Sequence, residues 1–170
     1  MLRIGLLSDT HGFYDPRIAE HFGDCHEIWH AGDIGELEVI SRLERIAPVM
    51  AVHGNIDGTP VRSRYPGHQR HMREGVDMWM THIGGYPGSY DRRVLPRLQE
   101  NPPRLFITGH SHILKVMPDK KLGLLHMNPG SAGRSGLHQV RTLIRFEVEE
   151  GRIEKVDVIE LGDRSSGKLR

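Results

Sequence analysis

The sequence predicts an α/β protein made of two β-sheets packed face to face, with helices on their outer surfaces. Three observations predict it. The first half alternates short apolar runs with helical periodicity, the βαβαβ signature of a parallel sheet with right-handed crossovers. The second half changes to a series of strand patterns with one short helix among them. The length, 170 residues, suits one compact domain, because a chain of about 150 residues buries roughly 70% of the surface it exposes when unfolded.

Taken in order, Leu2 to Leu7 is a short apolar run ending in Ser-Asp, a buried strand. Asp15 offers a helix N-cap with Pro16 at the first helical position; Ile18, Ala19 and Phe22 form the apolar face and Gly23 the stop. Residues 27–31 read as a second strand. Leu37, Ile40, Leu43 and Ile46 give residues 36–47 a helical stripe, which Pro48 ends. Residues 49–52 are a third strand. Residues 76–80 and 105–107 are strands separated by a short helix within 90–100, where Pro96 limits the start of its regular part. Residues 113–117, 122–127, 142–149 and 153–161 complete the strands, with turns at 119–121 and 149–152. Residues 1–162 are expected to form the one domain. The polar, aperiodic stretch 163–170 is expected to be a flexible tail.

Composition excludes several classes. Lys and Arg total 23 against 22 Asp and Glu, a net charge of +1, so there is no strong basic field for nucleic acid. No run approaches the ~20 apolar residues of a membrane span, and the first residues lack the features of a secretion signal. The lone Cys25 cannot form an intrachain disulfide and reads as an ordinary half-buried thiol, which points to a reducing, cytoplasmic compartment. Twelve histidines beside four Phe, four Tyr and two Trp tilt the composition toward metal or proton chemistry.

The polar residues gather where the strands stop: Asp9-Thr10-His11, Gly32-Asp33, Gly54-Asn55-Ile56-Asp57, Thr81-His82 and Gly109-His110-Ser111-His112. Sites in open α/β sheets lie beyond the carboxyl ends of strands, so these five clusters are expected to converge on one crevice. Carboxylate, imidazole and amide oxygen suit Mn, Fe, Zn or Ni rather than Ca or Mg alone. Taken singly, each cluster reads as readily as a turn or a solvated loop; the conjunction carries the inference. In extended chain, residues two apart point the same way, so Asp9 with His11, and His110 with His112, are each expected to aim two ligands at one place. Glycines 32, 54 and 109 let the backbone turn sharply beside them.

The ordered set Asp-x-His, Gly-Asp, Gly-Asn, His, Gly-His-x-His resembles the calcineurin-like metallophosphoesterases. SDTHG, HAGDIG, HGNID and GHSH, with Asn128-Pro129-Gly130-Ser131 following, look like the small single-domain, YfcE/Vps29-like branch of that superfamily. The resemblance covers nearly the whole chain. It implies a four-layer α/β/β/α sandwich of two mixed sheets and a site for two divalent metal ions. One ion would be held by Asp9, His11, Asp33 and His112, the other by Asp33, Asn55, His82 and His110, with Asp33 bridging. Asp33, Asn55 and His82 are the residues it marks as catalytic. It further implies a dinuclear-metal-dependent phosphoesterase, acting on phosphodiesters ahead of monoesters, with a metal-bridging hydroxide as nucleophile. Mn²⁺ is the first choice of metal, with Ni²⁺, Fe²⁺, Zn²⁺ and Co²⁺ open. The partner is then a small phosphoester, with no membrane and no strong nucleic-acid signal; the oligomeric state, a dimer included, stays open. The alternative is a non-catalytic, Vps29-like protein-binding scaffold. All seven ligand positions here hold competent residues, which favours the enzyme.

Two departures from the superfamily pattern matter. Ile56 stands where many larger members carry a histidine near the leaving group, which leaves protonation to water, to a metal-bound group or to another histidine such as His53. The segment after His82 reads Ile83-Gly84-Gly85-Tyr86-Pro87-Gly88 in place of Gly-His; a mobile substrate loop and a surface turn are equal readings of it. Asp57 reads as a turn residue or a partner of the ligands, and His30 as a packed imidazole. His21, His68, His71 and His138 read as surface residues, and Arg92 and Arg93 as a solvated helix face before a phosphate contact.

Overall fold

The computed structural model describes residues 1–165. The chain runs β1 (Leu2–Leu7), α1 (Ile18–Phe22), β2 (Glu27–His30), α2 (Leu37–Glu44), β3 (Val49–Ala51), α3 (Thr59–Arg62), β4 (His68–Arg73) and β5 (Val76–Thr81). It continues with β6 (Gly85–Tyr86), β7 (Ser89–Tyr90), α4 (Leu95–Glu100), β8 (Leu105–Ile107), β9 (Leu114–Asp119), β10 (Leu124–Pro129), β11 (Val140–Glu149) and β12 (Arg152–Asp163). Two five-stranded sheets result, ordered β12-β11-β1-β2-β3 and β4-β5-β8-β10-β9, beside a small β6-β7 hairpin. In the first sheet β1, β2 and β3 are parallel and β11 and β12 antiparallel. In the second, β5, β8 and β10 are parallel and the edge strands β4 and β9 antiparallel.

Strand alternation sorts the side chains into layers. Ile4, Leu6, Trp29 and Val52 of the first sheet meet Val76, Met78, Met80, Leu105, Ile107 and Met127 of the second in a core between the sheets. On the far face of the first sheet, Leu7, Ile28 and Leu143 pack against Ile18 and Phe22 of α1, Val39, Ile40 and Leu43 of α2, and Val61 of α3. The Phe22 ring lies so close over β1 that a Cβ at Gly5 would come within 2.7 Å of it. On the far face of the second sheet, Trp79, Phe106 and Leu124 pack against Val94 and Leu98 at α4. These are four layers, α/β/β/α, around three apolar clusters.

Several boundaries differ from the sequence reading. The helix expected from Pro16 begins at Ile18 with Arg17 as its N-cap; the Asp15 carboxylate instead accepts the Arg17 amide at 2.9 Å, capping the turn before the helix. Asp15 is also tied to the fully buried Arg141 at 2.7 Å. The helix expected over 90–100 is regular only from Leu95, because Tyr90 belongs to β7. β4 was invisible in the sequence: HQRHMR has no apolar alternation, since this edge strand leaves Met72 63% exposed. Cys25 is buried within the helix-facing core, not half-buried. β12 extends to Asp163, and the Arg164 amide donates to the Gln139 carbonyl at 2.7 Å. Residues 166–170, where the rest of the expected tail falls, lie outside the described residues.

Candidate metal centre

The parallel registers set the strand ends level. Leu7, His30 and Ala51 stand side by side in the first sheet, and Met80, Ile107 and Met127 in the second. The connections leaving these ends carry all five polar clusters to one edge of the sandwich. Their backbone is unusual. Asp9, His11, Asp33, His110 and His112 have φ of +56°, +46°, +53°, +71° and +60°. For non-glycine residues this left-handed region costs about 1–2 kcal/mol each and persists only where the surroundings impose it.

The surroundings do so through backbone hydrogen bonds. The amides of Asp9, His11 and Gly12 donate to the carbonyls of Gly32, Asp33 and Ile34 at 2.9, 3.0 and 2.8 Å, zipping two connections together. Buried Asp57 accepts the amides of Ile34, Gly35 and Gly54 at 3.1, 2.8 and 2.8 Å, joining the second connection to the third. Asn128 donates to the Gly109 carbonyl at 3.0 Å and accepts the Gly130 amide, while the Ser131 hydroxyl donates to the Asp9 carbonyl at 3.0 Å. Asn128 and Ser131 thus brace the first and last connections from below. The sequence signal for them was the Asn-Pro-Gly-Ser run, which composition alone leaves without a role.

Seven side chains meet at this edge. Donor atoms of Asp9, His11 and His112 lie within 4.8 Å of one another, as do those of Asp33, His82 and His110. Asp33 Oδ2 belongs to both neighbourhoods, at 3.6 Å from His11 Nε2 and 3.2 Å from His82 Nε2. Asn55 Oδ1 lies 3.0 Å from His82 Nε2 and 2.9 Å from His110 Nδ1. Asp9, Asp33 and His82 are buried, His11 and His112 half-buried, and Asn55 and His110 exposed, so the cluster forms the floor of an open cleft. The extended-chain argument for the ligand pairs does not hold. Both members of each pair sit in left-handed turns, and His110 and His112 face different groups.

For two of the rings, a hydrogen bond on the far side decides which nitrogen faces inward. His82 Nδ1 donates to the Ala31 carbonyl at 2.7 Å, so its Nε2 presents the lone pair. His138 was expected at the surface; instead it is half-buried behind His112. Its Nε2 must donate to the Gly133 carbonyl at 2.8 Å, so in the neutral ring its Nδ1 accepts from His112 Nδ1 at 3.1 Å. That leaves the lone pair of His112 on Nε2, 3.1 Å from Asp9 Oδ1. Deeper in, His30 bridges Thr10 Oγ1 at 3.0 Å and the Gly32 amide at 3.2 Å, and burial pulls its pKa down to about 4.

The electrostatics call for positive charge. Asp9 Oδ2 accepts from the Ser8 hydroxyl at 2.5 Å and the His110 amide at 3.1 Å, but its buried Oδ1 has no hydrogen-bond partner, and neither has His11 Nε2. Burial works to raise the Asp9 carboxyl, yet His11 and His112 outweigh it and hold the group well below the carboxylate range. The same contest at Asp33 is won by His82 and the Ile56 amide. His11 is pushed up by Asp9, and His82, despite burial, by Asp33 and Asp9. Unpartnered carboxylate and imidazole lone pairs, converging from rigid backbone, fit a divalent cation in each group.

Other sequence readings resolve in the same frame. Asp57 is a buried turn residue, as above. His68 is exposed, whereas His21 and His71 are half-buried, His71 standing edge-on to Trp29. Arg93 is exposed and grips both oxygens of Asp91, ahead of α4 rather than on its face. Most of residues 84–88 falls in the β6-β7 hairpin, which runs from Gly85 to Tyr90; a Cβ at Gly84 would strike Thr108 and Phe106, so the start of this segment is packed, not loose. His53 donates from Nδ1 to the Tyr65 carbonyl at 2.9 Å and lines a cavity of about 240 Å³ beside Asn55 and His82.

Fold and donor set together define a class: an α/β/β/α sandwich with candidate metal-binding groups at the strand ends. The chain belongs to the calcineurin-like phosphoesterase superfamily, whose domain model matches residues 2–151. It is 32% identical over 138 residues to a probable metallophosphoesterase of Methanocaldococcus jannaschii, covering 75% of this chain and 67% of that one. Among solved structures it is similar to an archaeal phosphodiesterase, with a TM-score of 0.72 at 22% identity over 94% of this chain and 100% of that one. It is also similar to Entamoeba histolytica Vps29 in complex with Zn²⁺, with a TM-score of 0.71 at 17% identity over 96% and 100% of the two chains. Among the described residues no helix is long and apolar enough to cross a membrane.

Proposed function

We propose that the protein is a phosphodiesterase that works with two divalent metal ions, Mn²⁺ being the first choice. The observation that supports this reading is Asp33 Oδ2, which lies 3.6 Å from His11 Nε2 and 3.2 Å from His82 Nε2. In this reading Asp9, His11 and His112 hold one ion and Asn55, His82 and His110 the other, with Asp33 common to both. When bound, such a pair supplies Lewis acidity toward phosphoryl oxygens and lowers the pKa of a water to about 7. The chain's own contribution is charge and orientation. Two carboxylates set −2 against +4, leaving an excess that attracts a phosphate anion. Ala31 and His138 fix the ring nitrogens that face the ions. Ile56 has no ionisable proton to give and is 47% exposed, which makes His53, on the smaller cavity, the group to test as proton donor. The likeness to an archaeal phosphodiesterase supports diesters. The lone thiol supports a cytoplasmic site of action, with a small phosphoester as partner.

The likeness to Vps29 favours a second reading, a protein-binding scaffold. The two readings part on one experiment. Metal analysis after Mn²⁺ loading should find two ions per chain, and bis(p-nitrophenyl) phosphate should be hydrolysed. Asp33→Asn should lose at least one ion and about 10²–10³-fold in turnover, the order expected when one electrostatic contact with the transition state is removed. No metal in the wild-type protein, or a variant retaining half its turnover, would overturn the proposal.

A further inference from the structure

The far face of the second sheet is only partly covered. α4 packs on Trp79, Phe106 and Leu124, and the β6-β7 hairpin stands over the rest. Between hairpin and sheet lies a cavity of about 580 Å³ that reaches His110 and so opens onto the candidate metal centre. That volume falls within the ~300–1,000 Å³ of small-molecule sites. Lys115 of β9 stands opposite Asn128 of β10, and His126 two residues earlier shares their face, so these three form the floor. Tyr86 and Arg92 line the wall.

Three features of this lining point to a ligand. His126 is fully buried, yet neither ring nitrogen makes a well-formed hydrogen bond, only the Phe106 backbone interacting with the ring. A residue with a purely packing role would avoid that, because buried polar groups are nearly always satisfied. Arg93 takes both oxygens of Asp91, which leaves Lys115 and Arg92 without an ion pair among the described residues. The cavity therefore carries uncompensated positive charge. The Lys115 ammonium lies 3.9 Å over the Tyr86 ring, and that ring is 44% exposed, so a cation and a flat aromatic face are offered side by side. Such a pairing suits a ligand with a planar ring and an anion.

We propose that this cavity is a subsite for one organic arm of the substrate, and that the arm is an anionic, ring-bearing group of the nucleoside monophosphate class. The assignment rests on the phosphodiesterase reading above for its role, though not for its binding chemistry. Lys115 and Arg92 hold the arm's own phosphate, Tyr86 takes the ring, and His126 lies beneath it in the floor. The scissile phosphate lies at the mouth, by His110.

The test compares ApA with pApA, dinucleotides that differ only in a terminal 5′-phosphate, on the Mn²⁺-loaded full chain. Wild-type kcat/KM should favour pApA by about tenfold or more, the worth of one charge-assisted hydrogen bond. Lys115→Met and, separately, Arg92→Gln should bring the ratio toward one. A wild-type ratio of one, or a ratio unmoved in both variants, overturns the subsite and leaves the phosphodiesterase standing. If no diester is hydrolysed, the phosphodiesterase reading fails, and calorimetry on the metal-free protein then decides the subsite. AMP binding tenfold weakened by Lys115→Met upholds it; AMP binding no tighter than adenosine overturns it.

Discussion

The strand-end connections and the hairpin side of the second sheet are neighbours built on opposite terms. In the connections every turn is overdetermined. A Cβ at Gly54 would collide with the Asp33 carboxylate and amide, and one at Gly109 with Ser8 and Ala31. Donor atoms there are held by backbone hydrogen bonds on several sides. On the hairpin side, Gly88 has nothing within 4 Å of a Cβ, Tyr86 is exposed and His126 makes no well-formed hydrogen bond. The difference teaches where geometry is demanded. Metal ligands tolerate errors of a few tenths of an ångström, whereas a cavity for an organic group is shaped by its occupant.

The contrast can be broken at several points. The largest effect is expected for Gly54→Ala, where the colliding atoms are backbone and carboxylate and cannot yield. It should abolish tight Mn²⁺ binding and cost about 3 kcal/mol or more, the upper end of overpacking penalties; titration calorimetry and urea unfolding read both.

The next concerns pH. Burial pulls His126 and His30 each down to about 4, against about 6.5 in the unfolded chain. The stability that these two rings contribute is therefore full above pH 6.5. It falls as pH drops toward 4, because the unfolded chain gains protons that the folded one refuses, and this loss levels off below. Each ring accounts for up to about 3 kcal/mol. His126→Phe should make the decline measured by urea unfolding of the metal-free protein between pH 7 and 4.5 shallower. An unchanged pH profile would show that His126 is not held neutral.

The smallest effect should come from behind the ligands. His138→Ala leaves every proposed ligand in place but frees His112 to rotate and change tautomer. Metal affinity should fall about 10–100-fold with little loss of stability, and His138→Gln, whose amide oxygen can still accept from His112, should recover part of it.

Much of this was legible in the sequence. The layers followed from apolar runs at 2–7, 105–107 and 142–149, because buried strands advertise themselves by continuity or alternation. The convergence of the clusters followed from topology, since parallel strands must all end at one edge. What could not be read was conformation and support. Nothing in Asp-Thr-His announces left-handed φ, which is imposed by carbonyls more than 20 residues away. His138 looked like a loop residue because its partners, His112 and Gly133, meet it only in three dimensions. β4 stayed hidden because an edge strand with polar side chains on both faces carries no apolar signature, and His126 because one imidazole in a strand looks like any other half-buried polar residue.

The left-handed turns at Asp9, His11, Asp33, His110 and His112 also bear on how such a chain can change over generations. At each of them glycine would relieve strain, while the layers between and around the sheets would keep every contact. Against that relief stand the hydrogen bonds that the Asp9 and Asp33 carboxylates accept from Ser8, His110 and Ile56. The backbone strain at these five positions is the cost at which the proposed donors are carried.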